Sequence, residues 1–345
     1  MTELPLAGLA DLGRTLYERA NLPPVDAGVV VDAQLEADRR GVDTHGFQRL
    51  PWYVDRLLAG ENNPRPELRI IDSWPSGLVL DGDAGLGQLV CTRLMESAIR
   101  VAQRSGVCVA VARRSNDWGC GARYPLMAAR AGLVAFCTTT SVPTLAPFGT
   151  RTRTSGNNPM AFALPRRDGA PIVLDMALTP VALGKVMRAR EERQPIPEAW
   201  GFLDRDGRAT TDPTAALDGV IPAIGGYKGT GLSLMMNALA GILAGSAHSS
   251  AVANEGGKRG QFFLVLDPGR FGPVDTFLDE IEEMVRQVKS AEPLPGSNGA
   301  FLPGEIEERR EAEALERGTV FYPASVVTGL RDVAERLGID WPWVS

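Results

Sequence analysis

Up to Gly41 the apolar residues recur at three- and four-residue intervals: Leu9, Leu12 and Leu16, then Val29, Val30, Ala33 and Ala37, with Pro23-Pro24 between the two runs. That spacing places each run on one face of a 3.6-residue helix, so two helices joined by a proline-marked turn are expected. Asp43-Thr44 offers an N-cap to a third helical stretch ending near Gly60, whose Leu50, Tyr53, Val54, Leu57 and Leu58 share a face. The pattern changes at Asn62-Asn63-Pro64-Arg65-Pro66, a linker composition, and the apolar Leu78-Val79-Leu80 runs into a glycine-rich turn at 82–87. Residues 89–104 then show helical spacing, and 106–112 form a short apolar run bounded by turn signals, as a buried strand does. The alternation continues with a helix over 124–131 and strands over 133–139, 160–164 and 171–176. Helices over 182–190 and 231–243 follow, then a strand over 261–267 and helices over 274–290, 305–317 and 324–337. The chain reads as an α/β rhythm with helices at both ends.

Composition narrows what such a chain does. With 345 residues, 44% of them hydrophobic and 23% charged, it can bury a sizeable core without disulfide or metal staples, and about two domains are expected. The 36 basic and 42 acidic side chains leave a formal charge of −6 with no concentrated basic face, which argues against a nucleic-acid partner. Cys91, Cys108, Cys120 and Cys137 stand singly, with no paired spacing and only remote histidines, so neither a zinc site nor a disulfide framework is indicated. No leader pattern follows Met1, and the longest apolar stretch, 234–243, is far short of the ~20 residues of a membrane span. A cytoplasmic protein without a membrane partner is expected. There are only two histidines, His45 and His248, so proton chemistry near neutral pH has few candidates.

Three constellations carry candidate chemistry. In Asp43-Thr44-His45-Gly46-Phe47-Gln48-Arg49 a helical conformation would put His45 and Arg49 on one face. A guanidinium fork holds a substrate carboxylate, and a nearby imidazole handles the proton of an adjacent carbonyl or imine. The same pair also reads as a cap histidine and a surface arginine, and spacing alone does not decide. The second is the glycine turn 225–231 around Lys228, ahead of a long helix, where backbone N–H groups and an ammonium can meet a phosphate. It matches neither a dinucleotide fingerprint nor a P-loop. The third is Arg114-Ser115-Asn116-Asp117-Trp118-Gly119, a polar loop after a strand, where α/β proteins place ligand contacts.

Six segments in order resemble one family: Asp-Thr-His-Gly-x-x-Arg-Leu-Pro at 43–51, Arg-Ser-Asn-x-x-Gly at 114–119, Asn-Asn-Pro at 157–159, Leu-Asp-Met-Ala at 174–177, Gly-Gly-Tyr-Lys-Gly at 225–229 and Leu-Pro-Gly-Glu at 302–305. The chain is similar to the malate/L-lactate dehydrogenases of the non-Rossmann type. That group also holds ureidoglycolate and sulfolactate dehydrogenases, 2,3-diketogulonate reductase and the cyclic ketimine reductases. The resemblance implies an NAD(P)-dependent oxidoreductase acting as a homodimer, with NADH or NADPH as cofactor and a small carboxylate as substrate. It implies a non-Rossmann mixed α/β nucleotide-binding domain over 76–304 and a helical domain built from both chain ends, 1–75 and 305–345. Carried over, His45 is the proton donor or acceptor and Arg49 the carboxylate clamp. Ser141, Asp175, Met176, Ala177, Lys228, Gly304, Glu305 and Ile306 are nucleotide contacts, with Asn158 near the nicotinamide end. No metal is implied.

One position departs from the family pattern. Many relatives carry Ser-Asn-His-Phe-Gly where this chain has Ser115-Asn116-Asp117-Trp118-Gly119, so Asp117 replaces a histidine given a catalytic role in several members, and Asn157 departs in the next motif. A carboxylate of ordinary pKa ~3.9 cannot donate a proton at neutral pH. It would favour a cationic substrate such as a protonated cyclic imine over a second carboxylate, so a ketimine-reductase-like activity is preferred here to a 2-hydroxy acid dehydrogenase. The same departures admit a protein of another class, a binding or redox-neutral family member. The 2′-phosphate of NADPH would need a cation near the ribose, for which Arg151, Arg153, Arg166 and Arg167 are candidates.

Overall fold

A computed structural model describes residues 1–252 and 256–343. A short strand β1 (Thr2–Pro5) leads into α1 (Leu6–Arg19), α2 (Pro24–Arg39) and α3 (Leu50–Leu58). Strands β2 (Arg69–Trp74) and β3 (Gly77–Asp81) follow, then α4 (Gly87–Ser105), β4 (Val107–Ser115), α5 (Arg123–Arg130) and β5 (Val134–Thr139). The small strands β6 (Pro143–Leu145) and β7 (Ser155–Gly156) precede β8 (Met160–Leu164) and β9 (Ile172–Met176), after which come α6 (Leu183–Glu191), α7 (Pro213–Asp218) and α8 (Tyr227–Asn237). The chain continues with β10 (Arg259–Leu266), α9 (Val274–Ser290), α10 (Glu305–Arg317), β11 (Thr319–Tyr322) and α11 (Ala324–Arg336).

The main sheet has seven strands in the order β2-β3-β4-β10-β5-β8-β9. Only β3 and β4 run parallel; the other neighbours are antiparallel, with the late strand β10 inserted between β4 and β5. Successive β10 residues serve opposite faces, as strand geometry requires. Phe263 and Val265 are fully buried with Leu94, Tyr124 and Cys137 under α4 and α5. Phe262 packs on the other face with Val111, Ala240 and Ala244, of which Ala240 lies in the π-helical turn Ala238–Leu243 that extends α8 and Ala244 caps it. Complete burial of one such aromatic side chain stabilises the sheet by about 1.5–3 kcal/mol.

Beside the sheet, α1, α2, α3 and α11 enclose a second core around Leu9, Leu16, Tyr17, Val31, Phe47 and Tyr53. Leu86 and Leu89, at the start of α4, belong to it too, so the helical layer and the sheet layer are joined through α4. The two ends of the chain meet in an antiparallel ribbon, Leu4 opposite Val320, so the helical layer carries β1 and β11, which helical spacing did not predict. The sheet begins at Arg69, inside the segment expected to be helical. Four-residue strands are too short to show a period, and every residue of β2, an edge strand, is exposed, so it shows no alternation. Among the described residues no helix is long and apolar enough to cross a membrane. The four cysteines are buried and free.

The turn before α10 docks on the last sheet strand: Val173 N donates to Pro303 O at 3.1 Å. Gly304 follows with φ at +82°, and a Cβ there would lie 2.4 Å from Val173 Cγ1 and 2.8 Å from Val173 O. Gly304→Ala should therefore lower unfolding free energy by about 1–3 kcal/mol, seen as a lower denaturant midpoint with an unchanged slope. A wild-type midpoint would contradict this docking.

Candidate active site

The stretch carrying His45 and Arg49 is not one helix. Two 3-10 turns, Asp43–His45 and Phe47–Arg49, meet at Gly46, whose φ and ψ are −90° and −144°, and α3 begins at Leu50. Pro51 explains the break. In the first turn of a helix its missing N–H is harmless, whereas in a helix begun at Asp43 its ring would strike the Phe47 carbonyl. Thr44 makes no cap; its Oγ1 lies 2.9 Å from His45 Nδ1. Arg49 Nε donates to Thr44 O at 3.1 Å, and its guanidinium sits 5.3 Å from the centre of the Trp52 ring. His45 and Arg49 are thus neighbours through Thr44 rather than through a helical face, and both are half-buried.

Asp117, just beyond β4, joins this group. Its Oδ1 accepts from the Tyr53 hydroxyl at 2.7 Å and from Gly119 N at 3.1 Å, and its Oδ2 accepts from Arg259 Nη1 at 2.8 Å. Burial works against its charge, but Arg259, Arg49, His45 and the Tyr53 hydroxyl outweigh burial and hold the carboxyl well below the usual carboxylate range. Asp117 is therefore an anion already answered by a cation. Among the described residues no carboxylate pairs with Arg49. Burial likewise leads the shift of His45, which lies below its ordinary value with Arg49 assisting, while Asp117 and Asp175 pull the other way.

Neither Tyr53 nor Arg259, the two side chains that hold Asp117, is a candidate from the sequence. Tyr53 counts as one more apolar-face position of α3, and Arg259 reaches Asp117 because β10 lies against β4 with Arg259 opposite Ser115. The sequence around Asp117 is a polar loop and gives no signal of its burial, so the need for a cation is not visible there.

The residues expected to contact the nucleotide fall into connected groups. Asn158 is fully buried and at the centre of one: its Oδ1 accepts from Ser141 N at 3.0 Å and Ser249 Oγ at 2.9 Å, and its Nδ2 donates to Ser233 O at 3.1 Å and Ser233 Oγ at 3.2 Å. With its amide so committed, Asn158 holds Ser141 and α8 in place. Asn157 O accepts from Leu178 N at 2.9 Å, which ties the Asp175-Met176-Ala177 segment to the same loop. Asp175 accepts from Ala122 N at 2.7 Å. The Gly304-Glu305-Ile306 turn abuts β9, the strand that ends in Asp175 and Met176. Glu305 accepts from Leu302 N at 2.9 Å and pairs with Lys289 and Arg309, and Lys289 foremost holds its carboxyl down to about 2. Helix α8 starts earlier than its apolar spacing indicated, so Lys228 stands exposed within its first turn rather than ahead of it. Of the candidate 2′-phosphate cations, Arg153 donates to Gly219 O, Arg166 is paired with Glu282 and Arg167 with Asp275 and Asp279. Arg151 is exposed.

Removing Arg259 strands a buried anion. Arg259→Met should cost about 3–5 kcal/mol of stability, and the cost should shrink in the Asp117→Asn background, a coupling measurable by a denaturant double-mutant cycle. The depressed pKa of Asp117 sets the sign with pH. Its contribution is complete above the ordinary carboxylate range and is lost as the pH falls below it. Equal costs in both backgrounds would show that the pair is not coupled.

The comparisons with known proteins agree along the whole chain. The family model described as malate/L-lactate dehydrogenase matches residues 4–331. A malate dehydrogenase of Pyrococcus horikoshii is 37% identical over 333 residues, covering 93% of this chain and 92% of its own. The structure of sulfolactate dehydrogenase from Methanocaldococcus jannaschii superposes with a TM-score of 0.91 at 32% identity, covering 98% of both chains. That of delta1-piperideine-2-carboxylate reductase from Pseudomonas syringae does so with a TM-score of 0.87 at 28% identity, covering 97% of this chain and all of the other. Sequence match and shared fold therefore coincide over the segment that contains every residue of the site, and the chain belongs to the malate/L-lactate dehydrogenase family of NAD(P)-dependent oxidoreductases.

Proposed function

We propose that this enzyme moves a hydride between a nicotinamide and C2 of a small 2-hydroxy or 2-oxo acid, with His45 handling the proton and Arg49 holding the substrate carboxylate. The observation that carries the reading is the join through Thr44 of a histidine held below its usual pKa to an arginine that makes no direct ion pair with a described carboxylate. In oxidation the neutral imidazole accepts the hydroxyl proton of the substrate, and in reduction the imidazolium returns it to the nascent alkoxide. Arg49, oriented by Thr44 O and the Trp52 face, presents its fork to the carboxylate. The nicotinamide supplies the hydride acceptor or donor when bound. Ser141, Asp175, Met176, Ala177, Lys228 and the Gly304-Glu305-Ile306 turn are the residues to hold NADH or NADPH. An exposed ammonium on the first turn of an eleven-residue helix is a donor set that fits its phosphates.

A cyclic imine carboxylate is the second reading, and the piperideine-2-carboxylate reductase neighbour favours it. The geometry of Asp117 favours the hydroxy acid. With both carboxylate oxygens committed and Arg259 at 2.8 Å, Asp117 offers no unanswered charge to an iminium. The preference drawn from its charge alone is accordingly reversed. A second copy of the chain is the inferred partner. Tyr227, Met235, Ile242 and Leu243, on and beyond α8, are each more than half exposed, and such an exposed apolar patch is one that becomes covered.

Following the absorbance of the reduced nicotinamide should show turnover of malate, sulfolactate or a related 2-hydroxy acid, and turnover confined to piperideine-2-carboxylate would overturn that preference. His45→Ala should lower kcat by about 10²–10⁴-fold, and near-normal turnover would refute its role. For the oxidative direction kcat/KM should rise with pH along a limb that His45 sets below the ordinary histidine value of ~6.5, since only neutral imidazole accepts the proton. Light scattering should give twice the chain mass, and a monomer would remove the inferred partner.

A further inference from the structure

We propose that Asp38 is a positioning residue for the reaction: its carboxylate, braced by Tyr322 from the far end of the chain, fixes the bend at Gly46 that sets His45 against Arg49. The inference rests on the reading of His45 and Arg49 given above. Two isolated 3-10 turns have no continuous backbone ladder, so something outside them must define how they meet. Helix α2 supplies it from two side chains one turn apart. Asp38 Oδ2 accepts from Phe47 N at 2.9 Å, just after the bend, and Gln34 Nε2 donates to Gly46 O at 3.2 Å, at the bend itself. Each is held by a buried tyrosine: Tyr322 of β11 donates to Asp38 Oδ2 at 2.7 Å, and Tyr17 of α1 donates to Gln34 Oε1 at 2.8 Å. The fit is close. A Cβ at Gly46 would lie 1.9 Å from Asp38 Oδ1, so the backbone rests directly on the carboxyl.

A purely structural brace would be better made by asparagine. Asp38 is almost wholly buried, its Oδ1 has no hydrogen-bond partner, and such an oxygen costs stability when charged. Facing it are Tyr322 from β11, Asp43 from the first 3-10 turn and Arg39 from its own helix. Burial foremost, with Asp43 adding, pushes the carboxyl up to about 7 against the Phe47 N–H, the Tyr322 hydroxyl and Arg39. A folded pKa raised above the unfolded value means that the stability from this group is present at acid pH and lost as pH rises through about 7. The brace beneath the catalytic segment therefore changes charge near neutrality.

Three variants and one control test the inference. Asp38→Ala should lower kcat by about tenfold or more, the scale of a small misplacement of reacting groups, while reduced-nicotinamide fluorescence still shows cofactor binding within about twofold. Asp38→Asn keeps an acceptor for Phe47 N and the tyrosine hydroxyl. It should restore kcat and be no less stable than the wild type above neutral pH, and it should remove one ionisation near neutrality from the pH profile of kcat/KM. Should Asp38→Ala fold poorly, Tyr322→Phe removes one brace with the ring packing kept and should lower kcat in the same direction. An Asp38→Ala or Tyr322→Phe enzyme with wild-type kcat overturns the proposal. So does an Asp38→Asn enzyme that is as impaired as the alanine variant, or one whose pH profile matches the wild type. His45→Ala separates the two levels. If it stays active the catalytic reading itself fails, whereas if it is inactive and Asp38→Ala is not, only this inference does.

Discussion

The insertion of β10 between β4 and β5 is the constraint on which the site depends. It buries Phe263 and Val265 under α4 and α5, and in the same register it delivers Arg259 to the end of β4, where Asp117 waits. A carboxylate enclosed by protein is tolerated only with a partner of opposite charge, and the strand that completes the sheet is also the one that brings it. Gln261, two residues on, donates to Asn116 O at 3.2 Å and Thr139 Oγ1 at 3.3 Å, so the polar ends of β4, β10 and β5 are stitched where the strands stop.

Against this rigid edge stands a segment with little structure of its own. The His45–Arg49 turns are held by α2, and Tyr53 of the helix that follows them donates to Asp117. The helical layer and the sheet thus meet through a chain of specific polar contacts: Asp38 and Gln34 to the bend, Tyr53 to Asp117, Asp117 to Arg259. A crevice assembled this way keeps its charges at known positions, because every group that sets the field on His45 is itself hydrogen-bonded. Asp117 leaves the charge of the crevice balanced, since Arg259 offsets its anion.

Local patterns made much of the architecture legible. The long amphipathic helices α4, α9 and α10, and the apolar runs that became β4, β5 and β10, declare themselves through neighbours three, four or two residues away. The positions of His45, Arg49 and Lys228 were readable as chemistry for the same reason, being close in sequence to their motif companions. The strands β1, β2 and β11 were not legible, because two of them are too short to display a period and the third lies exposed at an edge. The bend at Gly46 was hidden as well, since four-residue spacing looks the same in a helix as in two turns joined by a glycine.

By itself the sequence determined the alternation of helices and strands, the family, and which side chains are available for hydride and proton chemistry. Those follow from residue identity and periodicity, which are local properties. Only the tertiary structure decided what Asp117 and Asp38 do. Their partners, Arg259 and Tyr322, lie 142 and 284 residues away, and no spacing rule connects them. The electrostatic meaning of a buried carboxylate is set by the groups that share its cavity, and the path of the chain chooses those groups.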